Sequence, residues 1–256
     1  MGKGEDGFKD QIMGRKKAGE EKNRGDPTGD PSKGLSIFWN RMREEKVFIP
    51  SNANAFQLEG LLSIHEAPSL KGGVIVCHPH PQYGGDMYNP VVTTAVGMAS
   101  EEEFATLRFN FRGVGESGGS YGEGIGEKED VLAATEYLSL KFKDSNPSLI
   151  LVGYSFGACV GLPIAVQDKR IKGMVAVAPP LEMYDFGFLK RCRKKKLIIA
   201  GARDIFCPTP LLEEWYQQLE GPKSLTIIPG ADHFFSFHAH LLRQPLIEFF
   251  KKMSSE

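Results

Sequence analysis

From about residue 46 onward, short apolar or β-branched runs alternate with longer segments of helical periodicity. The runs at 73–77 and 149–152 are continuously apolar, as expected for strands that are covered on both faces. An amphipathic segment over about 127–142 has the apolar spacing of a helix packed on such strands. This alternation predicts a mostly parallel sheet with right-handed crossovers, whose ligands bind outside the carboxyl ends of the strands.

The predicted elements begin with an antiparallel hairpin, formed by strands at 47–49 and 56–64. Further strands are predicted at 73–77, 105–111, 149–152, 173–177, 197–200 and 224–228. Helices are predicted at about 127–142, 158–166, 209–220 and 236–252. A chain of 256 residues accommodates these elements as one α/β domain, which we place at 34–256.

Composition restricts the partners and the compartment. Residues 1 to about 33 are poor in aliphatic side chains and rich in charged residues, Gly and Pro, so we predict a flexible charged tail. A formal net charge of −1 argues against electrostatic binding to nucleic acid or to an anionic membrane. The N-terminal residues have no long apolar run, so we expect no signal peptide and no membrane-spanning segment. The four cysteines form no Cys-x-x-Cys pair, which favours free thiols and a cytoplasmic location.

The pattern Gly-x-Ser-x-Gly occurs twice, and the context of each occurrence differs. The pattern at 153–157 follows directly on an apolar strand and leads into a helix of small residues, which is the setting of a nucleophile elbow. The serine of such an elbow lies at a helix N-terminus, whose dipole favours developing negative charge. In the pattern at 115–119, further glycines prevent an immediate helix, so we interpret Ser117 as part of a flexible loop. Ser155 is therefore the predicted nucleophile.

A serine nucleophile needs an adjacent base, and the base needs a carboxylate that orients it. The strand at 197–200 leads into a loop that carries Asp204, and the strand at 224–228 leads into a loop that carries His233. Both residues should lie at the carboxyl edge of the sheet, beside Ser155, in the chain order Ser, acid, His. We therefore predict Asp204 as the orienting acid and His233 as the base.

The oxyanion hole is expected to combine the backbone N–H of Phe156 with one from the loop after the strand at 73–77. The two prolines of that loop have no N–H, so His80 is the first candidate for the second donor, followed by Gln82 and Tyr83. The spacing His78-x-His80 also occurs in metal sites, but no third ligand accompanies it. We expect no metal and no cofactor.

Other motifs and titratable residues near these positions receive different interpretations. His238 and His240 are expected inside the last helix, and Asp232 is a poor orienter because its side chain points away from that of the adjacent His233. The Gly-rich segment at 113–118 opens a loop rather than a helix, which argues against a dinucleotide site. The basic run at 190–196 precedes a strand, so we expect a solvated segment at the amino edge of the sheet.

Three segments together resemble the α/β-hydrolase superfamily, and the resemblance extends over roughly residues 46–252. They are 77–85, 108–115 and 153–158, and they are similar to small predicted bacterial hydrolases related to dienelactone hydrolases and esterases. The resemblance implies a three-layer α/β-hydrolase fold. The loop has His-Pro-His-Pro where many relatives have His-Gly, so the second oxyanion donor departs from their pattern. Dienelactone hydrolases use Cys as the nucleophile, so their activity is not implied.

Many members of the superfamily insert a lid before the acid-bearing strand. Here only about residues 180–195 form that connection, so we expect no lid domain and an open, shallow site. Tyr184, Phe186 and Phe188 supply either an apolar wall or internal packing.

These features predict a serine hydrolase that cleaves a carboxylic ester of a small-molecule acyl substrate through an acyl-enzyme. Its activity should rise with pH as His233 loses its proton. A thioesterase or peptidase with the same three residues is an alternative, and so is a non-catalytic binding protein on the same fold.

Overall fold

The computed structural model describes residues 42–51, 55–65, 70–142 and 148–254. Within these ranges the strands are β1 Met42–Pro50, β2 Gln57–His65, β3 Gly73–Cys77, β4 Ala105–Phe109, β5 Leu149–Tyr154, β6 Ile171–Val177, β7 Lys195–Gly201 and β8 Lys223–Ile228. The α-helices are α1 Pro90–Glu101, α2 Gly126–Ser139, α3 Phe156–Gln167, α4 Thr209–Gln217 and α5 Arg243–Ser254. The predicted tail at 1–33 and the predicted domain start at residue 34 lie outside the described residues.

The strands form one sheet in the order β1-β2-β4-β3-β5-β6-β7-β8. The pairs β1–β2 and β2–β4 are antiparallel, and every pair from β4–β3 to β7–β8 is parallel. One buried apolar cluster lies between the sheet and α2, α3 and α4, and a second lies between the sheet and α1 and α5. The predicted hairpin and three-layer α/β arrangement are therefore confirmed. None of the described helices is long and apolar enough to cross a bilayer.

Helix α1 is absent from the elements that the sequence predicts. Its sequence, PVVTTAVGMASE, is rich in β-branched and small residues and has no charged residue before its last position, so its polar face is weak. The start signal is nevertheless present, because Pro90 occupies the first turn and the Asn89 side chain accepts a hydrogen bond from the backbone N–H of Val91 at 2.9 Å. The capping residues identify this helix better than its periodicity does.

The predicted helix at 236–252 begins later than expected. Phe235 and Phe237 have positive φ angles of 52° and 60°, which are incompatible with an α-helix. A 3₁₀ turn follows, and α5 begins at Arg243. The prediction that His238 and His240 lie inside the last α-helix is therefore wrong: His238 precedes the 3₁₀ turn and His240 lies within it.

The basic run at 190–196 lies at the amino edge of the sheet, as expected, but it is not uniformly solvated. Lys196 is 1% exposed, and its Nζ donates to the carbonyl oxygens of Cys192 and Glu220, each at 2.6 Å. Lys194 donates to two carbonyl oxygens at the C-terminal end of α3. Both lysines thus donate hydrogen bonds to backbone carbonyl oxygens, and burial lowers the pKa of both side chains.

Candidate active site

Ser155 lies in a strained turn between β5 and α3. Its φ and ψ are 51° and −116°, which is rare for a residue with a side chain and costs about 1–3 kcal/mol. The turn brings two stretches of backbone so close together that a Cβ at Gly153 would lie 2.6 Å from the Cα of Ala158. A Cβ at Gly157 would lie 2.7 Å from the carbonyl oxygen of His78. The glycines at 153 and 157 are therefore required by the space available.

The hydroxyl of Ser155 contacts His233, and His233 contacts Asp204. Ser155 Oγ is 2.9 Å from His233 Nε2, and His233 Nδ1 is 2.8 Å and 3.0 Å from the two carboxylate oxygens of Asp204. An ionised Asp204 only accepts hydrogen bonds, so Nδ1 carries the proton and Nε2 is free to accept the proton of Ser155. The sheet thus brings together the three residues predicted to act as nucleophile, base and orienting acid.

Hydrogen bonds and an aromatic contact hold Asp204 and His233 in position. Both residues are buried, and Asp204 Oδ1 also accepts the backbone N–H groups of Phe206 and Cys207 at 2.8 Å and 3.0 Å. The hydroxyl of Tyr154 donates to the carbonyl oxygen of His233 at 3.0 Å. The Phe206 ring meets the imidazole of His233 edge-on, at 4.8 Å between centroids. Tyr154 and Phe206 are not among the residues predicted from the sequence, although both lie within two residues of a predicted site residue.

The competing residues of the His233 loop have structural roles. Asp232 Oδ1 accepts the backbone N–H groups of Phe234 and Ser236, each at 3.1 Å, and thereby stabilises the turn that follows His233. His238 Nδ1 contacts the carbonyl oxygen of Ser236 rather than any group of the Ser155 site. The expectation that Asp232 does not orient His233 agrees with these contacts.

The predicted oxyanion donors differ in whether their backbone N–H groups already donate a hydrogen bond within the protein. Phe156 is the first residue of α3, so its N–H has no partner within the helix. Of the loop candidates, Tyr83 donates its N–H to the carbonyl oxygen of His80, and Gln82 donates its N–H to His80 Nδ1. The N–H of His80 itself donates to no group among the described residues. His80 is thus the loop candidate with an available donor.

His78 fastens this loop to the end of β4. It is fully buried, and its Nδ1 donates to the carbonyl oxygen of Pro79 at 2.6 Å. Its Nε2 accepts the backbone N–H of Phe111 at 3.0 Å. Burial lowers the pKa of His78 to about 4, so the ring is neutral at pH 7 and both nitrogens are occupied by the backbone.

The loop that carries the second Gly-x-Ser-x-Gly pattern is held by buried hydrogen bonds. Ser117 is 7% exposed; its Oγ accepts the backbone N–H of Glu59 at 2.8 Å and donates to the carbonyl oxygen of Asn110 at 2.7 Å. The Asn110 side chain donates to Glu59 and accepts the N–H of Met87. The interpretation of Ser117 as part of a flexible loop is therefore wrong, because its side chain links β2 to the segment after β4.

A cavity of about 480 Å³ opens beside Ser155 and His233. Its walls come from the loop after β3, the segments after β6 and β7, and the His233 loop. Of the three aromatic residues proposed as either wall or packing, Tyr184 lines the cavity. Phe186 is buried against Trp215, and Phe188 packs on Phe186. The two interpretations thus apply to different residues.

The comparisons with known proteins agree with this architecture. A sequence family described as an alpha/beta hydrolase domain matches residues 74–241. An uncharacterized protein of Rickettsia prowazekii (strain Madrid E) is 35% identical over 171 residues, which is 64% of this chain and 71% of that protein.

The chain is also similar to solved structures of α/β hydrolases. An alpha-beta serine hydrolase homologue from Coxiella burnetii is 33% identical, with a TM-score of 0.73, over 80% of this chain and 96% of that one. A putative alpha/beta hydrolase of unknown function from Agrobacterium tumefaciens is 31% identical, with a TM-score of 0.75, over 81% of this chain and 95% of that one. A serine hydrolase without a lid from Xanthomonas campestris is 29% identical, with a TM-score of 0.72, over 82% and 94%. The resemblance stated from the sequence is confirmed: this chain belongs to the α/β-hydrolase family and has the lidless three-layer fold.

Proposed function

We propose that this hydrolase is a serine esterase that cleaves small carboxylic esters with Ser155 as nucleophile, His233 as general base and Asp204 as the orienting acid. The observation that carries the proposal is the continuous relay from Ser155 Oγ through His233 to Asp204, with contacts of 2.9 Å and 2.8 Å. Each contact is within the reach that proton transfer and ring orientation require.

The relay supports a two-step acyl transfer. Ser155 Oγ attacks the ester carbonyl carbon while His233 Nε2 takes the hydroxyl proton, and His233 then gives this proton to the leaving alcohol. A water molecule, activated by the same imidazole, releases the acid from the acyl-enzyme. Asp204 stays ionised throughout and stabilises the imidazolium that forms twice in each cycle.

The negative charge that develops on the carbonyl oxygen requires donors that are already in place. We assign this role to the backbone N–H groups of Phe156 and His80, which have no competing acceptor among the described residues. The Phe156 N–H also lies at the start of α3, where the helix dipole favours negative charge. His80 and Phe156 both line the cavity, and their rings lie 4.7 Å apart between centroids.

A cytoplasmic location is part of the same proposal. Cys77, Cys159, Cys192 and Cys207 are all free thiols, which is typical of proteins in a reducing compartment. Fractionation of the source cells with an antibody against the protein tests this assignment, and recovery from an oxidising compartment would contradict it.

The direct test is hydrolysis of p-nitrophenyl butyrate by the wild type and by Ser155→Ala. We expect kcat/KM to fall by roughly 10³-fold or more in the variant, because removal of the nucleophile leaves only binding and the oxyanion donors. Ser117→Ala is the matched control, since it removes the serine of the other Gly-x-Ser-x-Gly pattern; measured under conditions where it is folded, it should keep its activity. Equal activity of wild type and Ser155→Ala would refute the assignment. A higher kcat/KM for the matching butyryl thioester would change the substrate class to thioesters.

A further inference from the structure

We propose that the cavity selects esters whose acyl and alcohol groups are uncharged, and that Asn89 is a specificity-determining side chain of the site. The inference rests on the proposed esterase function and names the substrate class of the same site. It is drawn from the chemical character of the cavity wall and from the hydrogen bond that holds Asn89.

The wall of the cavity has no Asp, Glu, Lys or Arg side chain among the described residues. Aromatic and other apolar side chains form most of it, including Tyr83, Phe156, Tyr184, Phe206 and Phe234. Several of these side chains are exposed to solvent, and Tyr83 and Phe234 have exposed fractions of 84% and 67%. Such a wall removes apolar groups of a ligand from water, because most of its own side chains are apolar.

The carboxylate of the Ser155 site does not compensate for a charged ligand. Both oxygens of Asp204 contact His233 Nδ1, and the Asp204 side chain is fully buried behind that ring. A charged group that entered the cavity would lose water without gaining a counter-charge. Aromatic faces attract cations by only about 0.5–1 kcal/mol at exposed sites, and no carboxylate of the cavity wall adds to this attraction. The wall therefore favours neutral groups over both signs of charge.

Asn89 supplies a neutral polar group in this wall. It caps helix α1, and its Oδ1 accepts the backbone N–H of Val91 at 2.9 Å. This contact requires the oxygen of the amide, so the orientation of the side chain is fixed. Its Nδ2 donates to no group among the described residues, and Asn89 lines the cavity. We assign the uncharged amide of Asn89 as the group that keeps this part of the wall neutral, so that a carboxylate at this position would admit cationic groups.

Three p-nitrophenyl esters of nearly the same shape test the selection by charge. The acyl groups are 5,5-dimethylhexanoyl, which is neutral, 4-(trimethylammonio)butyryl, which is cationic, and 4-sulfobutyryl, which is anionic. We expect kcat/KM for the neutral ester to exceed that for each charged ester by about 100-fold, because the site offers no counter-charge. All rates are measured at pH 8 and corrected for the rate with Ser155→Ala.

Substitution of Asn89 tests the second half of the inference. Asn89→Asp keeps the helix cap and adds a negative charge to the cavity wall, so the ratio of the cationic to the neutral ester should rise about 10-fold. Asn89→Ser also keeps a capping oxygen but has no amide and no charge, and it should change this ratio by less than about 3-fold. Helix content by circular dichroism shows that the cap is retained in both variants.

The outcomes distinguish a failure of this inference from a failure of the proposed esterase function. Comparable kcat/KM values for the three esters, or a preference for either charged ester, would overturn the selection by charge while the esterase function stands. An unchanged ratio in Asn89→Asp would overturn the role of Asn89. If none of the three esters is cleaved in a Ser155-dependent reaction, the proposed function itself fails, and the inference fails with it.

Discussion

At the scale of single residues, the site depends on which proton each histidine carries. The carboxylate of Asp204 fixes the Nδ1–H form of His233, because it accepts from Nδ1 and from two backbone N–H groups at the same time. Asp204→Asn should allow the opposite tautomer, in which Nε2 carries the proton and cannot take that of Ser155. We expect kcat to fall by roughly 10³-fold or more, measured with p-nitrophenyl butyrate.

Asp232→Asn is the control for this prediction. The amide oxygen of Asn can accept the same two backbone N–H groups as Asp232 Oδ1, so the turn after His233 is kept. This variant should retain kcat within about 3-fold, because surface changes that keep a hydrogen bond have small effects. A larger loss of kcat in Asp232→Asn than in Asp204→Asn would show that Asp232, and not Asp204, orients His233.

His78 gives a prediction about stability rather than catalysis. Its pKa in the folded protein is about 4, because of burial, and lies below the ordinary value of 6.5. Protons therefore bind preferentially to the unfolded chain, and the folded state loses stability as the pH falls from 6.5 toward 4. This contribution amounts to about 2 kcal/mol between pH 8 and pH 5.

The measurement compares urea unfolding of the wild type and His78→Gln at pH 8 and pH 5. Gln has both a donor and an acceptor for the contacts of His78, but it does not titrate. The free energy of unfolding should decrease less on acidification in His78→Gln than in the wild type. Equal decreases would show that His78 is not held in its neutral form.

At the level of strands and helices, the turn from β5 to α3 is a feature that can be predicted from the sequence. The Gly-x-Ser-x-Gly pattern between a strand and a helix predicts a strained serine, and Ser155 has a positive φ of 51°. The role of Ser117 cannot be predicted in this way, because it depends on a hydrogen bond with Glu59, a residue far away in the sequence. Local patterns report local strain, whereas long-range hydrogen bonds appear only when the sheet is assembled.

A pair of glycine substitutions tests the packing at this turn. Gly157→Ala should destabilise the protein by about 1–3 kcal/mol or prevent folding, since its Cβ would overlap the carbonyl groups at the end of β3. Gly97→Ala in α1 is the control, because a Cβ at Gly97 meets nothing within 4 Å. It should stabilise the helix by about 0.5–1 kcal/mol. Thermal unfolding measures both, and a stability of Gly157→Ala equal to that of the wild type would contradict the tight turn.

The loop that carries Ser117 gives a further prediction at this scale. Ser117→Ala should lower the free energy of unfolding by about 1–3 kcal/mol, because it leaves the buried N–H of Glu59 and carbonyl oxygen of Asn110 without their partner. Its kcat/KM should stay near the wild-type value, since Ser117 does not line the cavity among the described residues. Urea unfolding and ester hydrolysis on the same preparation measure the two effects. Loss of activity without loss of stability would contradict this assignment.

At the scale of the whole molecule, the order of the strands creates the site. Residues 155, 204 and 233 follow β5, β7 and β8, whose carboxyl ends lie at one edge of the parallel part of the sheet. Alternating strands and helices predict this edge, and they predict which loops meet there. They do not predict the hydroxyl of Tyr154 on the carbonyl of His233, or helix α1 with its weak polar face. Both depend on packing partners that periodicity does not reveal.

Covalent labelling with a fluorophosphonate tests whether the fold makes Ser155 the nucleophile. Native protein and protein unfolded in urea are treated with the reagent, and mass spectrometry of the peptides locates the adduct. We expect one adduct in the native protein, on Ser155, and none in the unfolded protein, because only the assembled sheet brings the base and the acid to Ser155. An adduct on Ser117, or no adduct in the native protein, would contradict it.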